Sequence, residues 1–208
     1  MYQPPHFAEP DENVMQALIT AHPLGLLISS SADDLQANPL PFLVSVDDGI
    51  TRLRTHMSRA NGQWRHIEDG ASVLVVFQGV DSYITPSWYR AKAEHGKVVP
   101  TWNYAMVQAR GAARIEAGSD WLRQQVGELT DRHEANRAEP WKVDDAPEAY
   151  VAAQLRGIVG IDITVDTLTG KWKMSQNRPE ADHKGVHAGL TEDGDAAMAE
   201  LVRLYGQI

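Results

Sequence analysis

Two stretches of this chain carry chemistry-bearing side chains where strands usually carry aliphatic ones. The first holds Val99, Pro100, Thr101, Trp102, Asn103 and Tyr104; the second runs from Gly170 through Lys171, Trp172, Lys173, Met174, Ser175, Gln176, Asn177 and Arg178 to Pro179. A strand that only fills a core alternates apolar and polar positions and favours Val, Ile and Leu. Here indoles, a phenol, amides, hydroxyls and cations follow one another closely. Aromatic faces can stack on a flat ring, amides can read its edges, and cations can meet a phosphate. The mix suits a flat, conjugated, anionic ligand.

A third stretch holds Thr55, His56, Met57, Ser58, Arg59, Ala60 and Asn61. It is predicted to end a strand and begin a helix. A hydroxyl, a guanidinium and free helix N–H groups would converge there, a combination that binds phosphate. The plain alternative is a capped helix, with Ser58 as the cap and Arg59 in solvent. Each of the other stretches has a plain reading too. Residues 101–104 can be ordinary barrel packing with Trp102 and Tyr104 at a rim, although Asn103 is then awkward unless its amide has a partner. Period two puts Lys171, Lys173, Ser175 and Asn177 on one face, which can be a solvent face, and residues 176–179 can also form a turn.

The elements that must position these residues are legible in outline. Residues 11–22 read as a helix capped by Asp11 and ended by Pro23, with Val14, Ala17, Leu18 and Ala21 on one face. Residues 24–30 and 35–46 read as strands, the second at an edge or bent because Pro39 and Pro41 remove ladder donors. Asp48 and Gly49 form a hairpin turn, and residues 51–56 alternate as the returning strand. A short helix is expected over 60–69, stopped by Gly70. Residues 71–79 form a central strand extending towards Ile84. A loop or broken helix covers 86–97. A long strand follows over 98–116, with Gly111 a bulge or close approach. Helices are expected over 120–135, where Trp121, Leu122, Val126 and Leu129 share a face, and over 148–155. Another long β region spans 158–176, and a last helix spans 195–205. Hairpins, then helices between long strands, disfavour a doubly wound parallel sheet. They favour a mainly β fold, an antiparallel barrel with peripheral helices.

Composition narrows the function classes. The chain has 208 residues, no cysteine, 43% hydrophobic residues and a formal net charge of −9. That is one domain over 1–208, with a helical insertion at about 119–155 and the C-terminal helix. Disulfides, thiol catalysis and Cys-ligated zinc are excluded. Residues 1–14 lack the basic-then-apolar pattern of a secretory signal. The longest apolar run, residues 72–77, is too short to span a bilayer. A soluble cytoplasmic protein is the expectation. The acidic balance opposes unaided DNA binding, which draws on a basic face. His183 and His187 are four apart, but Gly185 lies between them and no zincin pattern follows, so no metal site is expected. Ser87 lacks a nucleophile elbow.

Together these segments resemble the PaiB family of FMN-binding negative transcriptional regulators. The resemblance rests on His22-Pro23, Leu40-Pro41, residues 56–61, Gln63-Trp64, residues 77–79, 83–89, 99–104, 129–134, 158–161 and 170–179. It implies an antiparallel split β-barrel of the FMN-binding, pyridoxamine-phosphate-oxidase-like kind, a homodimer, and flavin at the subunit interface. On this resemblance His56, Ser58 and Arg59 meet the FMN phosphate. Thr101, Trp102, Asn103 and Tyr104 line the ring or ribityl chain, and Lys173, Ser175, Gln176 and Asn177 close the site. A flavin-dependent oxidoreductase is one expectation. A transcriptional regulator, acting directly or indirectly, is another. A haem-binding or haem-degrading relative, with His187 as an axial ligand, is a third.

Overall fold

The computed structural model describes residues 1–31, 34–67 and 70–206. In chain order its strands and helices are β1 (Ala8–Glu9), α1 (Glu12–Ala21), β2 (Leu24–Ser30), β3 (Leu35–Pro41), β4 (Leu43–Asp47), β5 (Ile50–Ser58), β6 (Ala71–Ile84), α2 (Arg90–His95), β7 (Thr101–Glu116), α3 (Ser119–Glu134), α4 (Glu148–Arg156), β8 (Ile158–Lys173), α5 (Glu180–Glu192) and α6 (Ala196–Gly206). The eight strands form one sheet in the order β3-β2-β6-β7-β8-β5-β4, with β1 added to β8. All pairings with a defined register are antiparallel. Among the described residues no helix is long and apolar enough to cross a membrane.

Local chemistry explains most boundaries. Asp11 caps α1 by accepting a bond from the Asn13 amide at 2.8 Å. The β4–β5 hairpin turns on Asp48 and Gly49, whose φ angles of 51° and 78° are both left-handed, as a two-residue turn between Asp47 and Ile50 requires. The strand expected over 35–46 is instead two strands, β3 and β4, parted at Phe42. Both lie at ends of the sheet order, where Pro39 and Pro41 cost no interior ladder bond. The apolar run in β6 sits between β2 and β7, so its backbone groups have neighbours on both sides. Gly111 is a close approach: a Cβ there would stand 2.1 Å from the Thr164 carbonyl oxygen.

Two expectations fail. Residues 60–69 do not form an α-helix; the described part is a single 3₁₀ turn, Gly62–His66, and Glu68 and Asp69 lie outside the described residues. Helix α5 was not foreseen, because Gly185 and Gly189 argue against a helix. Both glycines answer to packing: added Cβ atoms would meet the Trp88 carbonyl oxygen at 2.0 Å and the Trp88 ring at 2.3 Å.

The chain divides into two compact units. The first comprises Met1–Leu18, Gln78–Val107 and Thr169–Ile208; the second comprises Ile19–Phe77 and Gln108–Leu168. Buried side chains in the first include Ile84, Met174, Leu190 and Met198, and in the second Leu27, Phe42, Leu53, Phe77, Ile161 and Ile163. The second unit also has a satellite core in which α3 and α4 meet through Leu122, Val143, Val151 and Leu155.

Candidate functional site

In the first unit the start of β7 and the end of β8 come together. Alternation along β7 turns Asn103 inward, where it is fully buried, and leaves Trp102 53% exposed with its ring edge-on to Tyr83 at 6.0 Å. β8 stops at Lys173, so the two-residue period does not continue to Asn177. Residues 175–178 turn back instead, with the Arg178 amide donating to the Ser175 carbonyl at 2.9 Å. Lys171 and Ser175 are buried rather than solvated, while Asn177 is exposed.

Ser175 holds a left-handed backbone, φ 65°, which a non-glycine residue adopts only where its surroundings impose it. Three contacts do so. Its hydroxyl bonds the Asn103 amide oxygen at 3.1 Å, and its carbonyl meets the His183 ring. The Gln176 amide pins the flanking chain, donating to the Trp172 carbonyl and accepting from the Met174 amide, both at 2.6 Å. Gln176 therefore spends its hydrogen-bonding groups on the turn. Asn103 does not: its Nδ2 is buried and has no partner among the described residues. Turning the amide over would only exchange which atom is left over. A buried, unsatisfied amide group costs about 1–3 kcal/mol.

Cations surround this turn. The Lys173 ammonium bonds the Thr101 hydroxyl and the Trp102 carbonyl. Burial holds it below the ordinary lysine range, and the charges of Lys171 and Arg178 lower it further. Lys171 donates to the Tyr2 carbonyl at 3.1 Å. Its ammonium lies 5.3 Å from the ring centre of Tyr104, 5.6 Å from Tyr2 and 6.0 Å from Phe7, a cation held by aromatic faces. Arg178 lies over the Tyr89 ring at 4.8 Å. None of the three makes an ion pair with a described residue. Uncompensated positive charge beside an unsatisfied amide favours an anion that can also accept or donate at its edge.

The second unit holds His56, Ser58 and Arg59. Along β5, Thr51, Leu53, Thr55 and Met57 turn inward while Arg52, Arg54 and His56 are half-buried on the other face. Ser58 accepts from the Ala60 amide at 3.2 Å, and Asn61, not Ser58, caps the following 3₁₀ turn. A single 3₁₀ turn has little dipole to offer a phosphate, so that argument for residues 58–61 loses its basis. Arg59 instead faces a cavity of about 610 Å³ together with Arg123, Arg156 and residues at the start of α3. Arg123 is neutralised there by Asp144 and Glu148, whereas Arg59 and Arg156 have no ion-pair partner among the described residues. His56 lies in a different, apolar cavity of about 290 Å³, where burial holds its ring below the ordinary histidine range.

Of the residues foreseen from the sequence, the structure thus joins Thr101, Trp102, Asn103, Lys173 and Ser175 directly in the first unit. Tyr104 stands beside Lys171, and Gln176 serves the turn. From the sequence, Lys171 and Arg178 belong to the cation-bearing stretch without a site role, and His183 is weighed only as a metal ligand. Glu180 and Asp182 directly after Pro179 were the available signal for the helix that carries His183.

A family described as "Putative FMN-binding domain" matches residues 1–167. The chain is 34% identical to the uncharacterized protein AN0679 of Emericella nidulans, over 100% of this chain and 98% of that one. It is 28% identical to the protease synthase and sporulation protein PAI 2 of Bacillus subtilis, over 98% and 96%. Among solved structures, the FAD and haem binding protein of Mycobacterium smegmatis superposes with a TM-score of 0.59 at 18% identity, over 80% of this chain and 73% of that one. This last likeness concerns the fold.

Proposed function

This chain belongs to the FMN-binding family of PaiB type, with its antiparallel split-barrel fold, and we propose that it is a homodimeric redox flavoprotein whose FMN lies at the subunit interface. The observation that carries the site is the Asn103 Nδ2, buried and without a partner among the described residues, beside the strained Ser175 and three cations that none of those residues pairs with. A flavin ring edge presents the carbonyl and N–H groups that such an amide lacks. Trp102 is exposed enough to stack on a ring. Bound FMN supplies electron transfer; the protein supplies position and electrostatics. Lys173 and Lys171 would stabilise negative charge accumulating on the ring, and Lys173, already short of its usual basicity, would gain from that charge. Beside the cavity of about 610 Å³ in the second unit, Arg59 and Arg156 have no ion-pair partner among the described residues and are available to a phosphate.

The test is a titration of the purified protein with FMN, followed by visible absorbance and flavin fluorescence. Saturable binding of one flavin per chain is expected, with a dimer in sedimentation. A folded protein that leaves micromolar FMN free would overturn the reading. A Soret band, with no flavin bound, would turn it towards haem.

A regulatory role is better placed downstream of the flavin than at DNA. α3 and α4 are separated by a long loop, unlike a helix-turn-helix. The α5–α6 pair does turn on three residues, with Gly194 left-handed at φ 81°. However, the one cation of α6, Arg203, is taken up by Glu200 at 2.7 Å, and the chain as a whole is acidic.

A further inference from the structure

The apolar cavity around His56 is lined by none of the cations that the flavin reading uses. It measures about 290 Å³ and is walled by α3, α4 and the loop between them. Val126, Val143, Ala146, Val151, Leu155 and Ile158 give it an aliphatic lining, with no charged residue in it among the described residues. Trp141 and Tyr150, also in the wall, remain 48% and 58% exposed. The remaining polar groups are Gln154 and the His56 ring. The His56 Nδ1 is shielded from solvent and has no hydrogen-bond partner among the described residues.

The walls are fixed rather than collapsible. Val143, Val151 and Leu155 are the same side chains that bind α3 to α4. The Trp141 amide is held by Glu134 at 3.1 Å, and the next turn is closed by Lys142 and Asp145 through bonds of 2.8 and 3.0 Å. A preformed apolar room with a few convergent polar groups is the usual form of a small-molecule site. An apolar cavity of about 150 Å³ holds a benzene ring, so this one has space for two fused rings. The uncharged lining disfavours an ion, which would have to shed its water without compensation.

We propose that this cavity binds a small, uncharged, planar aromatic molecule bearing one hydrogen-bonding group, of the phenol or indole class. The aliphatic walls take the rings, the aromatic rim closes over them, and His56 takes the polar group. This goes beyond the flavin reading and does not depend on it.

Indole, benzoate and naphthalene are suitable probes, titrated into the full chain with and without FMN by calorimetry and by the His56 ring signals in NMR. Indole is expected to bind saturably at one per chain, equally in both flavin states, and to shift His56. Benzoate is expected not to bind. Ala146→Phe, which fills the room from a partly exposed wall position, is expected to weaken indole at least tenfold and to leave FMN binding unchanged. His56→Phe is expected to weaken indole by about fivefold, the worth of one hydrogen bond, and to spare naphthalene. The proposal is overturned if indole does not saturate, if benzoate binds as well, or if Ala146→Phe binds indole normally. It is also overturned if that variant changes the sedimentation of the protein while the wild type takes up no indole, since a second copy of the chain would then be the occupant. Should Ala146→Phe fail to fold, the wild-type NMR contrast between indole and benzoate decides alone.

Discussion

The turn at Ser175 and the cavity at His56 each leave one buried nitrogen without a partner among the described residues, yet they ask for opposite ligands. Around Asn103 the unsatisfied group stands among Lys171, Lys173 and Arg178, none of them ion-paired among the described residues. Around His56 it stands among Val126, Val143, Val151, Leu155 and Ile158, with no charged residue in the lining among the described residues. The same signal, an orphaned polar atom, therefore acquires its meaning from the charge around it. Where cations are unpaired, the missing partner belongs to an anion; where they are absent, it belongs to a neutral molecule.

The contrast can be broken most severely at Gly185. Gly185→Ala drives a methyl into the Trp88 carbonyl, and overpacking of this kind costs about 1–3 kcal/mol. Displacing α5 frees His183 from Ser175, so the melting temperature should fall and FMN binding with it, while indole binding at His56 stays. Loss of both would show that the two regions are not separable. A smaller effect is expected from Asn103→Leu. The flavin-free protein should change little in stability, because the unsatisfied Nδ2 is removed while the buried Ser175 hydroxyl loses its acceptor. FMN affinity should fall at least tenfold, about 1.4 kcal/mol. Unchanged affinity would deny the amide its role.

Lys173→Met should weaken FMN by about fivefold to tenfold, in keeping with the loss of one charged contact. Reduced flavin should suffer more than oxidised flavin, so the midpoint potential should drop; a dye-linked equilibrium titration reads this. The mildest effect concerns pH. Burial holds the His56 pKa below the ordinary histidine value of 6.5. Above that value neither state is protonated and stability is complete. As pH falls through 6.5 the unfolded chain takes up a proton that the folded ring resists, so stability declines, by at most about 1.4 kcal/mol per pH unit for one group. Denaturant unfolding between pH 7 and 5 should show a shallower decline in His56→Phe than in wild type.

Much of the scaffold was readable because local rules and tertiary demands coincide in it. β6, α1, α3 and the Asp48-Gly49 turn follow from periodicity, a capping aspartate and left-handed turn residues. Asn103 announced itself as an amide out of place in a strand. Other features were hidden for specific reasons. α5 carries two glycines whose purpose is to admit Trp88, a residue distant in sequence. β8 ends at Lys173 because Gln176 folds back on Trp172 and Met174, which no two-residue period anticipates. Ser58 and Arg59 looked like a helix start, but the next segment closes as a 3₁₀ turn capped by Asn61.

The sequence by itself determined the kinds of side chain available, the absence of cysteine chemistry, the mainly β pattern and the family to which these motifs belong. Those depend on composition and on short-range order, which a linear chain displays. Only the tertiary structure decided which polar atoms would be left without partners, which cations would lack a counter-charge, and that His56 would sit in an apolar room. Satisfaction and burial are sums over neighbours from distant parts of the chain, and they exist only once the chain has folded.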